Sequence, residues 1–542
     1  MLRIPAVLAA LTLTISATAQ PVADLPGVSI SKVTDIPDTD GQNPIRIEHN
    51  PADGKLYVLA TSGRLYVLTE LRFGWTPEEV LTQADHAVPS AVGMDFGADG
   101  TLYLIGNENV DSDRTRFVVR RGQVDGTGWN TVATSEPYLL SRTWFDHKAN
   151  GMTLTPDGQS LLINSGARTD HGEMYGGVRE EGLTAIVLKI PADATDLVLP
   201  NDRETLKTGG FVFAEGIRNS FDLEFAPNGD LMAADNAGDR DDAEEFNWIR
   251  EGHHYGFPWR IGTSETPQQH AGYDPSADPF VQPDRNTNNV ADTGWYFSND
   301  PTYPAPPAGV TFTDPIANRG PFADLYRDTQ TGEPRDASDM GTTVGSLTPH
   351  RSPLGLVFDA DSLLDWPMRG GAFLVSWNTA EDQLLARLGG TGEDLLYLDL
   401  EKSGDTYTMS AERVAHGFDH PIDAVMVANT IYVLEYGEPW APGGSRAVQA
   451  VTIATDLASE DTPVGGFHLD VYPNPAWDRV QVNWNSAAAA TVEVVDVLGR
   501  SVLRQSVHGR SISLETGSLS RGVYFVRVQT GRTVTARPLL LR

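Results

Sequence analysis

An arginine and an asparagine, Arg218 and Asn219, stand side by side just before a predicted strand–turn–strand unit in the stretch Ala214 to Trp259. An acidic loop follows the second strand, and a Gly-aromatic-Pro turn at Gly256 closes the stretch. A cation, an amide and a loop rich in carbonyl and carboxylate oxygens can together hold an anionic ligand beside a hard metal ion. The stretch therefore predicts a binding site.

A second polar pair, Asp146 and His147, precedes a strand one unit earlier in the chain. A neutral histidine is a good proton acceptor near pH 7, and an adjacent carboxylate can orient it or raise its pKa. Both pairs precede the first apolar strand of their unit, so repeat symmetry predicts that they lie on one face, near a common axis. The alternative for His147 is a hydrogen-bonded structural histidine.

Two neighbouring features are predicted to be less informative. His253 and His254 are adjacent and would point in opposite directions in an extended chain, which favours a structural or surface role. The run Asp239 to Glu245 favours a solvated acidic loop, with a calcium cage as the alternative. The segment Ser165 to His171 follows the His147 unit and is predicted to line the same mouth.

The elements that carry these residues are predicted from a recurrent turn. Asp-Gly or Asn-Gly between two apolar runs marks a tight hairpin, and the chain repeats this pattern mostly about every 45–70 residues. The copies end or lie at Gly54, Gly100, Gly158, Gly229, Asp361 and Asn429. Six hairpins predict an all-β fold with a six-bladed β-propeller over residues 28–453, the alternative being unrelated hairpins in a sandwich. The longer interval from Asn228 to Asp361 predicts a lid or solvated insertion, with a blade strand within Thr293 to Thr313.

Composition restricts the possible partners and compartments. The 542 residues include 73 acidic and 40 basic side chains, for a formal charge of −33, which argues against nucleic acid as a partner. The chain has no cysteine, which excludes disulfides, thiolate metal sites and cysteine nucleophiles. Residues 1–19, with Arg3, a short apolar run and Ala17-Thr18-Ala19, are predicted to be a signal peptide. No other apolar run is long enough for a transmembrane segment, so a secreted or cell-surface protein is expected.

The last part of the chain has a different character. Residues 454–468 form a small-residue, acidic linker, and Val471 to the end contains nine Arg, no Lys and four acidic residues. Five predicted strands there indicate a small C-terminal β-sandwich. Its motifs are Val471-Tyr472-Pro473-Asn474-Pro475, Asp496-Val497-Leu498-Gly499-Arg500 and Gly522-Val523-Tyr524-Phe525-Val526-Arg527-Val528. In this order they resemble the type IX secretion C-terminal sorting domain, over residues 469–542. The resemblance implies export across an outer membrane by the type IX machinery; a carbohydrate-binding sandwich is the alternative.

A further set of motifs lies within residues 28–453. It comprises Asn43-Pro44-Ile45, Asp146-His147, Gly216-Ile217-Arg218-Asn219, Glu244-Glu245-Phe246-Asn247, Tyr255-Gly256-Phe257-Pro258, His350-Arg351-Ser352-Pro353-Leu354-Gly355-Leu356 and Pro421-Ile422-Asp423-Ala424. Together these segments resemble the glucose/sorbosone dehydrogenase family, the soluble quinoprotein six-bladed propellers.

That resemblance implies pyrroloquinoline quinone (PQQ) and Ca²⁺ as cofactors and a sugar or other alcohol as substrate. By the family pattern, Arg218, Asn219 and His350 would contact PQQ. The backbone carbonyls of Ala237 and Gly238 would bind Ca²⁺, a hard ion that polarises the quinone. His147 would be the base that removes the hydroxyl proton while hydride passes to the quinone, with Asp146 beside it.

The sequence departs from the family pattern at four positions. Asn378 stands where the family has a lysine, His420 and Ile422 where it has arginines, and Val88 where it has a glutamine. Fewer cations opposite a tricarboxylate mean fewer charge-assisted hydrogen bonds, each worth roughly 1.5–3 kcal/mol. The leading hypothesis is an exported PQQ- and calcium-dependent oxidoreductase. The alternatives are a non-catalytic extracellular binding propeller and a calcium-dependent, lactonase-like hydrolase.

Overall fold

The computed structural model describes residues 20–37, 43–72, 74–282, 297–365, 367–437, 446–455, 469–477, 479–484, 490–496, 500–507, 509–530 and 533–542. The predicted signal peptide and most of the predicted linker lie outside these residues. The chain divides into two compact units, Met1–Thr455 and Asp456–Arg542. None of the described helices is long and apolar enough to cross a membrane.

The first unit is a six-bladed β-propeller, as predicted. The strands of each blade that are named below form an antiparallel sheet, and in blades 1 to 5 the first of them in sequence is the innermost. Blade 1 comprises Pro44–Asn50, Lys55–Ala60, Leu65–Leu71 and Gly74–Leu81; blade 2, Ala91–Phe96, Leu102–Asn109, Arg114–Gly122 and Asn130–Ser135; blade 3, Ala149–Leu154, Ser160–Ser165, Ile186–Pro191 and Val212–Glu215. Blade 4 comprises Leu223–Phe225, Leu231–Asp235 and Glu245–Ile249; blade 5, Pro353–Phe358, Ala372–Thr379, Gly392–Ser403 and Thr406–His416; blade 6, Pro421–Val427, Thr430–Glu435, Ala447–Ile453 and Val28–Asp35.

The N-terminal strand closes the ring. Val28–Asp35 pairs antiparallel with Ala447–Ile453, so the outer strand of blade 6 comes from the start of the chain. This pairing covers the edge that the last blade would otherwise expose. The hairpins inside the blades turn where the sequence predicts, with Gly54, Gly100, Gly158 and Gly229 all at positive φ, between 68° and 85°.

Aspartates on alternate inner strands tie neighbouring blades together. Asp95 of blade 2 accepts a hydrogen bond from Leu154 N of blade 3 at 2.5 Å. Asp222 of blade 4 accepts one from Leu356 N of blade 5 at 2.8 Å, and Asp423 of blade 6 accepts one from Ile47 N of blade 1 at 2.8 Å. The interfaces between the blades otherwise consist of aliphatic and aromatic side chains such as Leu104, Leu374 and Val433, all fully buried.

Short elements extend the blade sheets or lie in the connections between blades. The remaining strands are Val22–Ala23, Tyr138–Leu139, Leu197–Leu199, Arg260–Ile261, Ser264–Glu265, Ala317–Asn318, Leu325–Arg327 and Pro334–Asp336, and the helices are Gln83–His86, Arg203–Thr208, Gln383–Ala386, Pro267–Gln269 and Pro275–Ala277. The strand predicted within Thr293 to Thr313 is not found in its described part, where Phe312 makes only an isolated bridge with His254. The prediction is wrong there because Asp300 to Gly309 contains four prolines, which cannot donate to a ladder.

The second unit is a small β-sandwich of two sheets. One sheet contains Leu469–Tyr472, Arg479–Trp484 and Ser511–Glu515; the other contains Ser501–Val507, Ala490–Asp496, Gly522–Thr530 and Thr533–Leu541. Alternate residues of the strands, among them Val480, Val482, Val492, Val494 and Val526, are fully buried between the sheets. This alternation is the period-two pattern of strands that bury one face.

Candidate active site at the propeller mouth

His147 lies immediately before the inner strand of blade 3 and is half-buried. Its Nδ1 is 3.2 Å from the carbonyl oxygen of Ala167, so Nδ1–H donates and the Nε2 lone pair remains as the acceptor. Burial, and then the charge of Arg218, lowers the pKa of His147 to about 3. The imidazole is therefore neutral at physiological pH. A Cβ at Gly166 would lie 2.6 Å from the His147 Cβ, so any residue other than glycine at this position would clash with the His147 side chain.

Asp146 does not orient the imidazole. Its two carboxylate oxygens accept hydrogen bonds from the backbone N–H groups of Ser141 and Arg142, each at 2.7 Å, and so fix the preceding loop. The carbonyl of Ala167 takes the orienting role that the sequence suggested for Asp146. The pKa of His147 is lowered, opposite to the direction expected from an adjacent carboxylate, because burial and Arg218 dominate.

Arg218 is buried beside His147, as repeat symmetry predicts. Its backbone oxygen accepts a hydrogen bond from Ala167 N at 2.7 Å, next to the histidine. The guanidinium donates from Nε to Asp170 O at 2.8 Å, from Nη1 to Asn236 O at 3.0 Å, and from Nη2 to Asp170 Oδ1 at 3.3 Å. Arginine has five N–H donors, so two N–H groups remain beyond these three contacts.

Asp170 is the partner that sequence reasoning missed. It is fully buried, and its carboxylate contacts Arg218, the backbone N–H of Asp239 at 2.9 Å and Nδ1 of His171 at 2.9 Å. These contacts, with the histidine bond the largest, hold the pKa of Asp170 below its usual value despite its burial. The sequence predicts that Ser165 to His171 line the mouth. One aspartate followed by one histidine, however, does not indicate that Asp170 pairs with Arg218.

Asn219 belongs to a chain of amides that crosses three blades. Asn164 Nδ2 donates to Asn150 Oδ1 at 2.7 Å, and Asn150 Nδ2 donates to Asn219 Oδ1 at 2.6 Å. Asn219 Nδ2 then donates to Asn236 Oδ1 at 2.8 Å, and Asn236 Nδ2 donates to the carbonyl of Pro353 at 2.8 Å. Because each amide fixes the next, the Asn219 side chain keeps one defined orientation, with one N–H left for a ligand.

Asp235 accepts hydrogen bonds from the backbone N–H groups of both Arg218 and Asn219. One carboxylate oxygen accepts from Arg218 N at 2.8 Å and the other accepts from Asn219 N. Burial raises the pKa of Asp235 to about 7. The two hydrogen bonds join the end of one strand of blade 4 to the segment that precedes its inner strand, which fixes the backbone of the predicted binding pair.

Ala237 and Gly238 follow Asp235 at the end of the same strand. Ala237 N donates to Glu244 Oε2 at 2.6 Å, while within the described part of the chain no hydrogen bond reaches the carbonyl oxygen of Ala237 or of Gly238. A Cβ at Gly238 would lie 2.6 Å from Asp170 Oδ1, so this backbone approaches a buried carboxylate closely. Two uncommitted carbonyls beside a carboxylate suit Ca²⁺, which prefers oxygen ligands.

The loop Asp239 to Glu245 is not a solvated surface, and the prediction is wrong here. Asp241, Asp242, Glu244 and Glu245 are all buried. Each has a specific partner: Asp241 contacts Arg327 and Gln282, Asp242 contacts Arg240, Glu244 accepts from Ser352 N at 3.0 Å, and Glu245 accepts from Gly262 N at 2.7 Å. Apart from Arg240, which lies in the loop itself, the partners come from the long interval and from Ser352 just before blade 5, and no local sequence pattern reveals them.

His350 is held by this loop. Its Nε2 is 2.8 Å from Asp241 Oδ1, and this hydrogen bond, with the charges of Asp241 and Glu244, raises the pKa of His350 against the opposing effect of burial. Its carbonyl oxygen accepts from Asn378 Nδ2 at 2.7 Å. His350 is thus a buried imidazole paired with a carboxylate, and only its Nδ1 remains for a ligand.

Other predictions about this region have simple outcomes. His254 is half-buried and its Nδ1 accepts from Gly256 N at 3.1 Å, while Nδ1 of His253 is 2.9 Å from Thr313 Oγ1, both in structural roles.

The described part of the long interval packs on the mouth: Phe297 stacks on His171 at 5.0 Å, and the hydroxyl of Tyr303 donates to His171 O at 2.6 Å.

Three of the four positions that depart from the family pattern, all except His420, carry side chains that cannot be cations. Val88 and Ile422 are buried in the apolar core, and Asn378 donates to His350 O. The nearest alternative cations are already paired: Arg351 contacts both oxygens of Asp394, and Arg413 contacts Asp24 at 3.0 Å.

The residues at this site therefore suit the two cofactors that the family resemblance implies, Ca²⁺ and PQQ, to different degrees. Ca²⁺ would have the carbonyl oxygens of Ala237 and Gly238 as ligands. PQQ would have N–H donors on Arg218 and Asn219, yet Asp170 already neutralises the buried guanidinium of Arg218. A tricarboxylate would thus form hydrogen bonds here with little net charge attraction.

Comparisons with known proteins agree with the fold. Residues 42–305 match the family model described as Glucose / Sorbosone dehydrogenase, and residues 470–542 match the one described as Secretion system C-terminal sorting domain. The propeller is thus similar to the glucose/sorbosone dehydrogenase family over residues 42–305, and the second unit matches the sorting-domain model. The sorting domain implies export to the cell surface or the medium.

Solved structures with similar folds include two sugar dehydrogenases. The PQQ domain of pyranose dehydrogenase from Coprinopsis cinerea is 12% identical, with a TM-score of 0.48 over 80% of this chain and 97% of that one. The PQQ-bound aldose sugar dehydrogenase from Streptomyces coelicolor is 14% identical, with a TM-score of 0.45 over 80% and 99%.

A curated relative is an endo-acting ulvan lyase from Formosa agariphila, 20% identical over 232 residues. The match covers 39% of this chain and 42% of the relative, so the chain spans less than half of that protein's length.

Proposed function

We propose that this protein is an exported oxidoreductase that oxidises a sugar or another alcohol, with PQQ and Ca²⁺ as cofactors and His147 as the base. The observation that carries the proposal is the neutral imidazole of His147, whose Nδ1 is fixed by Ala167 O beside the buried Arg218. This arrangement leaves the Nε2 lone pair as an acceptor beside the buried guanidinium, and a base for a hydroxyl proton needs such an acceptor.

The roles of the chain's own residues follow from their contacts. Nε2 of His147 accepts the hydroxyl proton of the substrate. The charge of Arg218 would stabilise the developing alkoxide, and burial together with this charge keeps the imidazole of His147 neutral at physiological pH. Asp170 holds the guanidinium in place through Nη2 and its own backbone oxygen.

The cofactors would be held by residues on blades 4 and 5. Arg218, Asn219 and His350 would donate to PQQ, and the carbonyls of Ala237 and Gly238 would bind Ca²⁺. When bound, PQQ accepts the hydride and Ca²⁺ polarises its carbonyl. Because the flanking cations are absent or paired, PQQ should bind more weakly than a site with free cations would allow.

The paired cations favour one second candidate, a non-catalytic binding propeller in the same family. Every cofactor-contacting side chain named above already has a protein partner: Asp170 for Arg218, Asn236 for Asn219 and Asp241 for His350. In that case the mouth would bind a sugar without turnover.

The test combines cofactor binding with turnover. Chelator-treated protein is supplied with Ca²⁺ and PQQ, and sugar-dependent reduction of an artificial electron acceptor is followed. His147→Ala should lower the rate by about 10²–10⁴-fold while PQQ binding persists. His270→Ala, an exposed histidine paired with Glu265, is the matched control. Absence of PQQ binding at micromolar concentration rejects the quinoprotein proposal, and full activity in His147→Ala rejects the assigned base.

A further inference from the structure

A second group of ligand-type side chains lies between blades 5 and 6. Glu393 is at the start of the third strand of blade 5, and Asp419 and His420 immediately precede the inner strand of blade 6. Nδ1 of His420 is 3.1 Å from Asp419 Oδ1 and 3.5 Å from Glu393 Oε1. All three ligand atoms lie within 4.8 Å of one another. His420 precedes its inner strand as His147 does, so the group belongs to the same end of the propeller.

The spacing matches the first coordination sphere of a small divalent ion. A tetrahedral ion with ligands at about 2.0–2.2 Å separates those ligands by about 3.3–3.6 Å from one another. The separations of 3.1 and 3.5 Å from His420 Nδ1 to the two carboxylates are close to this spacing, and the ligand atoms all lie within 4.8 Å of one another. One imidazole nitrogen with two carboxylates suits Zn²⁺, Co²⁺ or Mn²⁺, whereas Ca²⁺ takes oxygen ligands.

The surrounding structure orients these ligands. The Trp377 ring meets the His420 imidazole edge-on, with centroids 5.1 Å apart. Tyr436 N donates to His420 O at 3.0 Å and Gly437 N donates to Asp419 O at 3.2 Å, so the backbone of the pair is fixed by the neighbouring strand. Outer contacts that fix ring and backbone orientation are what metal ligands require.

The chemistry of the group also suits a cation. Glu393 and Asp419 are half-buried carboxylates beside one imidazole. Two carboxylates and one imidazole nitrogen are a common set of ligands for a divalent transition-metal ion.

We propose that Glu393, Asp419 and His420 form a binding site for one divalent transition-metal ion, separate from the oxygen-ligand position at Ala237 and Gly238. A tetrahedral ion held by three protein ligands has a fourth position, where a hydroxyl or carboxylate oxygen of a bound molecule would complete the coordination. The site stands on its own geometry and does not depend on PQQ or on turnover.

The test uses Co²⁺ as the probe on the chelator-treated full chain, in excess Ca²⁺ to saturate oxygen-ligand positions. We expect one equivalent of Co²⁺ to bind, with the visible absorption of a nitrogen-ligated four- or five-coordinate ion, and Zn²⁺ to displace it. His420→Ala and the conservative Glu393→Gln should each weaken binding at least about 10- to 100-fold.

His416→Ala is the matched control, because His416 contacts one carboxylate, Asp24 at 2.8 Å, in the same blade pair. It should bind Co²⁺ as the unaltered chain does. Unfolding midpoints of the variants, measured without metal, separate lost ligation from lost folding. Binding that survives both His420→Ala and Glu393→Gln, or no nitrogen-ligated spectrum in the unaltered chain, overturns the proposal. Neither outcome affects the oxidoreductase proposal, which is measured without a transition metal.

Discussion

Arg46 is the cation at the centre of a group of carboxylates on the propeller axis, and its replacement by methionine tests how the blades are held together. Its Nη1 lies 3.5 Å from Asp423 Oδ1 and 3.7 Å from Asp222 Oδ1, and its Nε donates to Val92 O at 3.0 Å. The guanidinium also lies over the Phe221 ring, 3.8 Å from its centroid. Arg46 thus joins blades 1, 2, 4 and 6.

The expected loss of unfolding free energy on replacing Arg46 follows from these distances. At an effective dielectric constant of about 20, each pair near 3.5–4 Å gains roughly 4–5 kcal/mol of Coulomb energy, which the desolvation of Arg46 largely offsets. Removing one partner of a buried pair leaves the other charge uncompensated. Arg46→Met should therefore lower the free energy of unfolding by about 3–5 kcal/mol at pH 8.

The pH dependence provides the sharper signature. Burial raises the pKa of Asp423 to about 7 and that of Asp95 to about 6, and it raises the pKa of Glu48 and Glu224 well above their usual values. A carboxylate whose folded pKa is raised stabilises the fold fully below its ordinary pKa near 4, and this contribution is lost as pH rises through the folded value. Protonated carboxylates do not need Arg46, so Arg46→Met should cost less at pH 5 than at pH 8.

Urea unfolding followed by tryptophan fluorescence at pH 5 and pH 8 measures both effects. Arg114→Met is the control, since Arg114 forms an exposed pair with Asp111 and should change stability by less than about 1 kcal/mol at either pH. The reasoning is refuted if Arg46→Met costs under about 1 kcal/mol at pH 8, or if it costs the same at both pH values.

Three further predictions concern the site and the domains. Gly166→Ala places a Cβ 2.6 Å from the His147 Cβ, so turnover should fall by at least about tenfold with a stability loss of about 1–3 kcal/mol; unchanged kinetics would contradict the packing argument. Because the pKa of His147 is lowered to about 3, the rate should show no histidine titration between pH 8 and pH 5, and a fall with an apparent pKa near 6.5 would count against this environment. A chain ending at Thr455 should keep the unfolding midpoint of the propeller by circular dichroism while its export fails; loss of the folded propeller would show that the two units are not independent.

The site was predicted unevenly, and the reasons are physical. The proximity of His147 and Arg218 could be predicted because both precede an inner strand, and the repeat carries such positions to one end of the axis; their roles in a site stay predictions. Asp170 was not found, since its role depends on a contact with Arg218 from another blade. The prediction for the acidic loop Asp239 to Glu245 was wrong because a run of charged residues by itself favours exposure to solvent. In the structure, contacts with Arg327 and Ser352 hold the loop in a buried position.

The sequence by itself determined the number of hairpins, the six-bladed ring, the sorting domain and the residue types at the mouth, because turn chemistry and period-two alternation act locally. The tertiary structure alone decided which groups pair. It assigns Ala167 rather than Asp146 to the orientation of His147, places Asp170 against Arg218, and brings Glu393 beside His420. Protonation and ligand capacity depend on burial and on partners distant in sequence, which no local pattern encodes.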